Sequence, residues 1–165
     1  MFSQTNVLVD SDGTPHIAGL GSVPVHWQSP PIARPEDPHK PTRCSAPELV
    51  VPDAFGLPES QVTEASDIYA LGVLAYQVRH PPDAHTLDSK RWSQVFAGNR
   101  MFHILADDAA VYLILNGLRP PRPNNPELSD RVWGMINRCW AHTPSRRIKI
   151  ADAVSVLETE LQQIR

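Results

Sequence analysis

The sequence predicts a mainly α-helical domain with one small β-hairpin at its N-terminus. Two patterns lead to this prediction. Within residues 6–17, a short extended pattern is interrupted by the strong turn signal Asp12-Gly13. Further along, four segments place apolar side chains at the three- and four-residue spacing of helices. A chain of 165 residues, 41% hydrophobic and 20% charged, is long enough to bury one core.

The predicted hairpin begins with a strand in which Val7 and Val9 alternate with Leu8 and Asp10. After the turn, the extended pattern resumes at residues 16–18. An isolated two-stranded hairpin is marginally stable in water. We therefore expect this hairpin to dock on a larger body.

A long proline-rich loop is predicted between residues 24 and 47. The segment is polar and aperiodic, and its prolines forbid a regular helix. These prolines are Pro24, Pro30, Pro31, Pro35, Pro38 and Pro41. Loops of this length inside compact domains are usually functional or disordered.

The strongest predicted helix covers residues 63–78. Thr63 or Ser66 can cap it, and Glu64 or Asp67 suits the positive end of its dipole. Its apolar face is so wide that we expect burial on most sides. The residues of that face are Ile68, Leu71, Val73, Leu74, Ala75, Tyr76 and Val78.

A second helix is predicted to end at Leu115, where Asn116-Gly117 stops it. Asp107 or Asp108 is expected to cap its start. Signals between residues 83 and 106 are weak, and we expect one short helix around residues 92–96.

Two more helices complete the prediction. Ser129 is expected to cap a helix whose apolar side chains run to Trp140, and the last helix begins near Ile150. The last helix carries an apolar stripe with four-three-four-three spacing, formed by Val154, Leu157, Leu161 and Ile164 after Ile150. The stripe could be a coiled-coil seam, but two heptads are few. We predict that it faces the core.

Bulk properties exclude several functional classes. The net charge is −3, the pI is about 6.1 and no basic stripe is present, which argues against a nucleic-acid partner. Two cysteines do not make a disulfide framework. No apolar run approaches the roughly 20 residues of a membrane span, and no secretory leader pattern opens the sequence. We therefore expect a cytoplasmic or otherwise intracellular protein that does not bind a membrane.

Four motifs stand in an order typical of one family: Asn6-Val7-Leu8-Val9-Asp10, Ala46-Pro47-Glu48, Ser66-Asp67-Ile68-Tyr69-Ala70-Leu71-Gly72-Val73 and Cys139-Trp140-Ala141-His142-Thr143-Pro144-Ser145-Arg146-Arg147. In this order the chain resembles the C-terminal lobe of a eukaryotic protein kinase domain, of the tyrosine kinase or tyrosine-kinase-like group. The resemblance covers about residues 6–161. It implies signal transduction by ATP-dependent phosphorylation of protein Ser, Thr or Tyr, with ATP and Mg²⁺ as cofactors and a protein substrate or partner.

The same resemblance predicts degenerate catalytic positions. Asn6 matches the family's Mg²⁺-binding Asn. Met1 stands where the catalytic Asp is expected, and Ser3 stands where the catalytic-loop Lys is expected. Gly19 stands at the metal-binding Asp position, and glycine supplies no carboxylate ligand. No intact catalytic residue and no metal site are therefore expected.

The structural positions of the family are better matched. Glu48 and Arg147 resemble a carboxylate and guanidinium that pair late in the lobe, and we predict a bidentate ion pair between them. Asp67 resembles an Asp that holds the catalytic-loop backbone, although a first-turn dipole partner is an equally good interpretation. Trp140 resembles a core Trp.

Two functions follow as hypotheses. The first is a truncated, catalytically inactive pseudokinase lobe that acts in binding or regulation, with docking surfaces expected at residues 91–102 and on the last helices. The second is a fragment of an active protein kinase whose ATP-binding N-terminal lobe is missing from this sequence. In either case we expect three parts. These are the catalytic-loop end and hairpin at 1–23, an activation-segment-like loop at 24–48, and a helical lobe at 49–165.

Overall fold

A computed structural model describes residues 7–10, 12, 14–17, 43–77, 101–102, 104–126 and 128–164. The elements of this part are β1 (Val7–Val9), β2 (Pro15–Ile17), α1 (Pro47–Val50), α2 (Glu64–Gln77), α3 (Asp107–Leu115), α4 (Asp130–Cys139) and α5 (Ile150–Ile164). Two 3₁₀ turns lie at Pro52–Phe55 and Pro144–Arg146. The predicted class, mainly helical with an N-terminal hairpin, is confirmed. The short helix expected at 92–96 lies outside the described residues.

The hairpin is held by its turn. β1 and β2 are antiparallel, with Leu8 opposite His16. The Asp10 carboxylate accepts a hydrogen bond from the Thr14 backbone N–H at 2.9 Å and contacts the His16 ring at 2.8 Å. Leu8 and Ile17 are more than half exposed. Local turn chemistry, and not burial of these two apolar side chains, therefore holds the described part of the hairpin together.

Helix α2 is the centre of the core. It begins with a reciprocal cap, in which Thr63 Oγ1 accepts from the Ser66 N–H and Ser66 Oγ accepts from the Thr63 N–H. No residue from 65 to 77 is exposed. The predicted burial of this helix on most sides is confirmed, because it packs against α4 and against the 3₁₀ turn at Pro144–Arg146.

The packing of α2 on α4 depends on a glycine. A Cβ atom added at Gly72 would lie 2.6 Å from Cys139 Cβ and 3.1 Å from the Trp140 backbone nitrogen. The two helix backbones therefore approach more closely than any side chain at position 72 allows. Cys139 is fully buried at this crossing, and burial raises the pKa of its thiol to about 11.

We expect Cys139 to resist alkylation while the protein is folded. Thiolate is the reactive form, so a pKa of about 11 lowers its fraction at pH 7.5 by about a hundredfold relative to an ordinary cysteine. Mass spectrometry after iodoacetamide treatment should find Cys139 unmodified in native buffer and modified in urea. Equal labelling in both buffers would contradict the buried position of this thiol.

Helix α3 starts differently from the prediction. Its N-cap is Ala106, which makes no side-chain cap hydrogen bond, and Asp107 and Asp108 lie in the first turn. The expected Asp cap is therefore wrong. One reason is that the Asp107 carboxylate is bound by Arg43 at 2.5 Å. The predicted stop is confirmed, since Gly117 follows the helix with a φ of 78°.

Helix α4 matches the prediction at both ends. Ser129 caps it by accepting a hydrogen bond from the Val132 N–H at 3.2 Å. Trp140 follows as the C-cap residue and is 1% exposed. Its ring lies 5.2 Å from the Tyr76 ring and 5.8 Å from the Trp133 ring, edge-on to the latter. The expected core role of Trp140 agrees with this aromatic cluster.

Helix α5 faces the core with a different side from the predicted one. Ile150, Val154, Leu157 and Leu161 are 46%, 43%, 38% and 61% exposed. Ala153 is fully buried and Val156 packs against the core. The prediction of a core-facing stripe is wrong, because α5 approaches the body through the small side chain of Ala153 instead.

Candidate functional site

The buried centre of the candidate site is the ion pair predicted between Glu48 and Arg147. Arg147 Nη1 lies 2.5 Å from Glu48 Oε1, and Nη2 lies 2.6 Å from Glu48 Oε2. The two side chains are 2% exposed or less. The pair is therefore bidentate, as predicted, and it is shielded from water. We call it the Glu48–Arg147 anchor.

The anchor joins three separate parts of the chain. Glu48 stands in the first turn of α1, directly after the N-terminal residue Pro47. Arg147 also donates to the Ala65 carbonyl at 2.8 Å, in the first turn of α2, and to the Ala141 carbonyl at 3.0 Å, just after α4. A guanidinium carries five N–H donors in fixed directions, so one arginine side chain can bind several acceptors at once. One side chain thus holds α1, the start of α2 and the end of α4 together.

A buried tyrosine sits between two arginines beside the anchor. The guanidinium carbons of Arg119 and Arg147 lie 5.2 and 5.0 Å from the centre of the Tyr69 ring. Arg119 donates to the carbonyls of Trp140 and Ile114 at 3.0 and 3.1 Å. Burial raises the pKa of Tyr69 to about 12. The stack therefore combines cation–π contacts with carbonyl hydrogen bonds, and Tyr69 stays protonated.

Sequence reasoning did not identify Tyr69 or Arg119 as members of this site. Tyr69 belongs to the third motif, where it is one apolar position of a predicted helix among several. Arg119 lies in a proline-dense connector, where a charged side chain is ordinarily solvated. Only the folded chain brings these two residues beside the anchor.

A second buried arginine, Arg43, was also missed. Its guanidinium donates to the carbonyls of Met101, Phe102 and Leu105 at 2.5–2.7 Å, in addition to the Asp107 carboxylate. Phe102 adopts a φ of 54°, which is unusual for a residue other than glycine. The backbone before α3 therefore folds around Arg43, and this contact links the residues ahead of α1 to the start of α3.

Asp67 lies in the first turn of α2 and is half-buried. Its Oδ1 atom is buried and accepts no hydrogen bond within the described residues. A buried carboxylate oxygen is a strong acceptor that favours N–H donors. Both predicted roles, dipole partner and backbone holder, are compatible with this position.

His142 lies at the edge of the anchor. Its ring stands 5.2 Å from the Phe55 ring, and its carbonyl accepts a 3.4 Å hydrogen bond from Arg147. Burial of the ring lowers the pKa of His142, and the positive charges of Arg119 and Arg147 lower it further. The Glu48 carboxylate acts in the opposite direction and is outweighed.

We expect His142 to make folding less stable in mild acid. The unfolded chain, with a His pKa of about 6.5, binds this proton more readily than the folded chain. This destabilisation of the fold is absent well above pH 6.5 and grows as the pH falls through this value. The urea midpoint should therefore drop less between pH 7.5 and pH 5.5 in His142→Gln than in the parent chain. Identical drops would contradict the depressed pKa.

The predicted catalytic positions cannot be placed. Met1, Ser3, Asn6 and Gly19 lie outside the described residues. Of the nearby carboxylates, Asp10 is engaged by its own turn, as described above. Among the residues with assigned positions, no group of three or more His, Cys, Asp or Glu side chains could hold a metal ion.

The four sequence motifs lie within a match to a known protein family. A model of the protein tyrosine and serine/threonine kinase family matches residues 2–157. The chain belongs to this family. The match covers most of the 165 residues, and it includes the anchor, the Tyr69 stack and helices α1 to α4. Family membership implies protein substrates or partners for this kinase-like domain.

The helices of the described ranges contain no segment that is both long and apolar enough to cross a membrane.

Proposed function

We propose that this kinase-like domain is non-catalytic and acts by binding or regulating other proteins. The observation that carries the proposal is Gly19 at the position of the metal-binding Asp. Phosphoryl transfer depends on metal ions that neutralise charge on the phosphates, and a carboxylate normally holds them. Met1 at the catalytic Asp position and Ser3 at the catalytic-loop Lys position support the same conclusion.

The buried contacts of the described helices support a binding role. The Glu48–Arg147 anchor, the Arg43 contacts and the Trp140 cluster are structural features of a helical lobe. The side chains of these features bind carbonyl and carboxylate groups of the chain itself or pack against its aromatic rings. A helical lobe whose catalytic positions are substituted is suited to presenting surfaces, and residues 91–102 and the last helices are the proposed ones.

The remaining assignments are parts of the same proposal. The chain is proposed to be a C-terminal lobe, with a catalytic-loop end and hairpin at 1–23, an activation-segment-like loop at 24–48 and a helical lobe at 49–165. It is proposed to work inside the cell on protein partners, without nucleic acid or membrane. Asn6 and Gly19 are the positions at which ATP and Mg²⁺ would be met in a catalytic relative.

A phosphotransfer assay with Mg²⁺–ATP and a generic protein substrate tests the proposal. We expect no turnover above the protein-free background, and no turnover in Gly19→Asp, because the Met1 and Ser3 substitutions remain. The matched control is Asn6→Ala, which removes the proposed Mg²⁺-ligand position. Mg²⁺-dependent turnover by the parent chain that Asn6→Ala abolishes would overturn the proposal, since it would come from this site.

The second candidate function is a part of an active protein kinase whose ATP-binding lobe is encoded outside this sequence. The exposed apolar side chains of the hairpin favour it, since Leu8 and Ile17 are 57% and 54% exposed. Such side chains are typical of a surface that another part of a protein covers. Sequencing the 5′ end of the transcript tests this function, which predicts an upstream frame with a Gly-rich loop, a strand Lys and a catalytic Asp.

A further inference from the structure

The turn before helix α3 is built around the side chain of Arg43, which comes from a distant part of the chain. Its guanidinium binds four acceptors, which are the carbonyls of Met101, Phe102 and Leu105 and the carboxylate of Asp107. We call these four contacts the Arg43 clamp. The Arg43 side chain is only 10% exposed. Among the described residues, no backbone N–H binds the Met101 or Leu105 carbonyl. Arg43 therefore satisfies carbonyls that the local backbone leaves open.

The Arg43 clamp opens or closes as one unit. Nε, Nη1 and Nη2 of Arg43 all take part. The guanidinium is planar and its donors point in fixed directions, so a shift of the arginine backbone misaligns all four contacts together. The turn itself has an unfavourable conformation, since Phe102 has a φ of 54°. A residue with a bulky side chain keeps such a φ only where the surrounding structure holds it. Loss of the clamp therefore removes the restraint on this conformation.

Apolar burial holds only the beginning of the turn. Met101 is completely buried, and Phe102 packs against the core. Further along, Ile104 is 86% exposed, and the side chain of Asp107 is 61% exposed. Side chains that stay in water contribute little to holding a backbone in place. The stretch between Phe102 and Asp107 therefore depends on Arg43 for its conformation.

We propose that the Arg43 clamp couples the segment ahead of α1 to the start of α3, as a switch with a closed and an open state. A protein partner that draws Arg43 outwards opens the turn, and one that binds the closed turn restrains the segment, because coupling between two sites is reciprocal. Opening stays local, because Glu48 is bound to Arg147 and keeps α1 in place. The coupling does not depend on whether this domain transfers phosphoryl groups.

Hydrogen exchange of the full chain, measured by mass spectrometry, tests the coupling from Arg43 to the turn. Arg43→Lys keeps the positive charge but carries its donors on one nitrogen, so it cannot bind all four acceptors. The amides of residues 104–110 should exchange about tenfold faster or more, whereas those of α2 and α4 should change by less than about twofold. The matched control is Arg122→Lys, since Arg122 binds the Asp130 carboxylate and the Leu128 carbonyl at a more exposed position. Unchanged exchange at 104–110, an equal rise throughout the chain, or the same rise in the control would overturn the proposal.

The alkylation rate of Cys44 tests the coupling in the reverse direction. Cys44 follows Arg43 directly and is half-buried. Asp107→Ala removes the carboxylate of the clamp and should make Cys44 react with iodoacetamide about fivefold faster or more, because the segment opens more often. The matched control is Asp108→Ala, since Asp108 lies in the same first turn of α3 and is exposed. Both variants lose a similar interaction with the helix dipole. Equal Cys44 rates in the two variants would overturn the proposal, and this readout decides the outcome if Arg43→Lys does not fold.

Discussion

Glu48→Gln should lower the free energy of unfolding by about 3–5 kcal/mol, because it leaves the guanidinium charge of Arg147 buried without its counter-charge. The two side chains are 2% exposed or less, so water cannot replace the lost carboxylate. Glutamine keeps the shape of glutamate, so the loss reports charge and not a cavity. Urea unfolding followed by circular dichroism measures the change.

The double variant Glu48→Gln/Arg147→Met should be more stable than the sum of the single losses predicts. The coupling energy from this double-mutant cycle is expected to be about 1–3 kcal/mol. Arg147→Met alone should lower the free energy of unfolding by at least as much as Glu48→Gln does. It removes the bonds to the Ala65 and Ala141 carbonyls as well as the ion pair.

A surface pair provides the matched control for this cycle. Arg131 lies 3.9 Å from Glu160, and its side chain is 47% exposed. Arg131→Met should change the free energy of unfolding by no more than about 1 kcal/mol. If Glu48→Gln is unfolded in buffer, refolding with a stabilising osmolyte gives its relative stability. A Glu48→Gln loss no larger than that of the surface control would contradict the buried anchor.

Gly72→Ala should destabilise the fold by about 1–3 kcal/mol, although alanine is the better helix former. The new Cβ would meet Cys139 Cβ at 2.6 Å and the Trp140 backbone nitrogen at 3.1 Å. Neither is the end of a flexible side chain, so α2 and α4 must move apart. Because the clash involves Cβ, the additional change Cys139→Ala should not relieve it.

Gly134→Ala is the matched control, and it should change stability in the opposite direction. Gly134 lies in α4 and is exposed, and a Cβ added there meets no atom within 4 Å. Helix propensity alone then favours alanine by up to about 1 kcal/mol. Thermal or urea unfolding of the two variants shows whether each change raises or lowers the stability of the fold. Stabilisation by Gly72→Ala would contradict the close approach of α2 and α4.

Local signals in the sequence were sufficient to predict a helix start or end where the residue responsible acts on its own neighbours in the chain. Thr63 and Ser129 begin their helices as predicted, because a hydroxyl beside free backbone N–H groups has the same effect in most contexts. Gly117 ends α3 for a comparable local reason. Asp107 shows the limit of such signals, since its carboxylate is taken by Arg43, a residue 64 positions away.

The site was predictable only in part. The Glu48–Arg147 pair could be expected from two motifs, because each partner lies at a motif position. Arg119 and Arg43 could not be expected, because their partners are mostly backbone carbonyls, which every residue has. Tyr69 could not be expected either, because only the folded chain brings the guanidinium groups of Arg119 and Arg147 to its ring. The roles of Met1, Ser3, Asn6 and Gly19 remain predictions from the sequence.

By itself, the sequence determined the family, the helical class and the starts of three helices, α2, α4 and α5. These properties rest on short patterns whose meaning does not depend on distant residues. The tertiary structure alone decided which face of α5 is buried. Several apolar faces of a helix can bury similar areas, and the choice depends on how closely two backbones can approach. Ala153 permits the closer approach in this fold, and the larger apolar side chains of the predicted stripe are left at the surface.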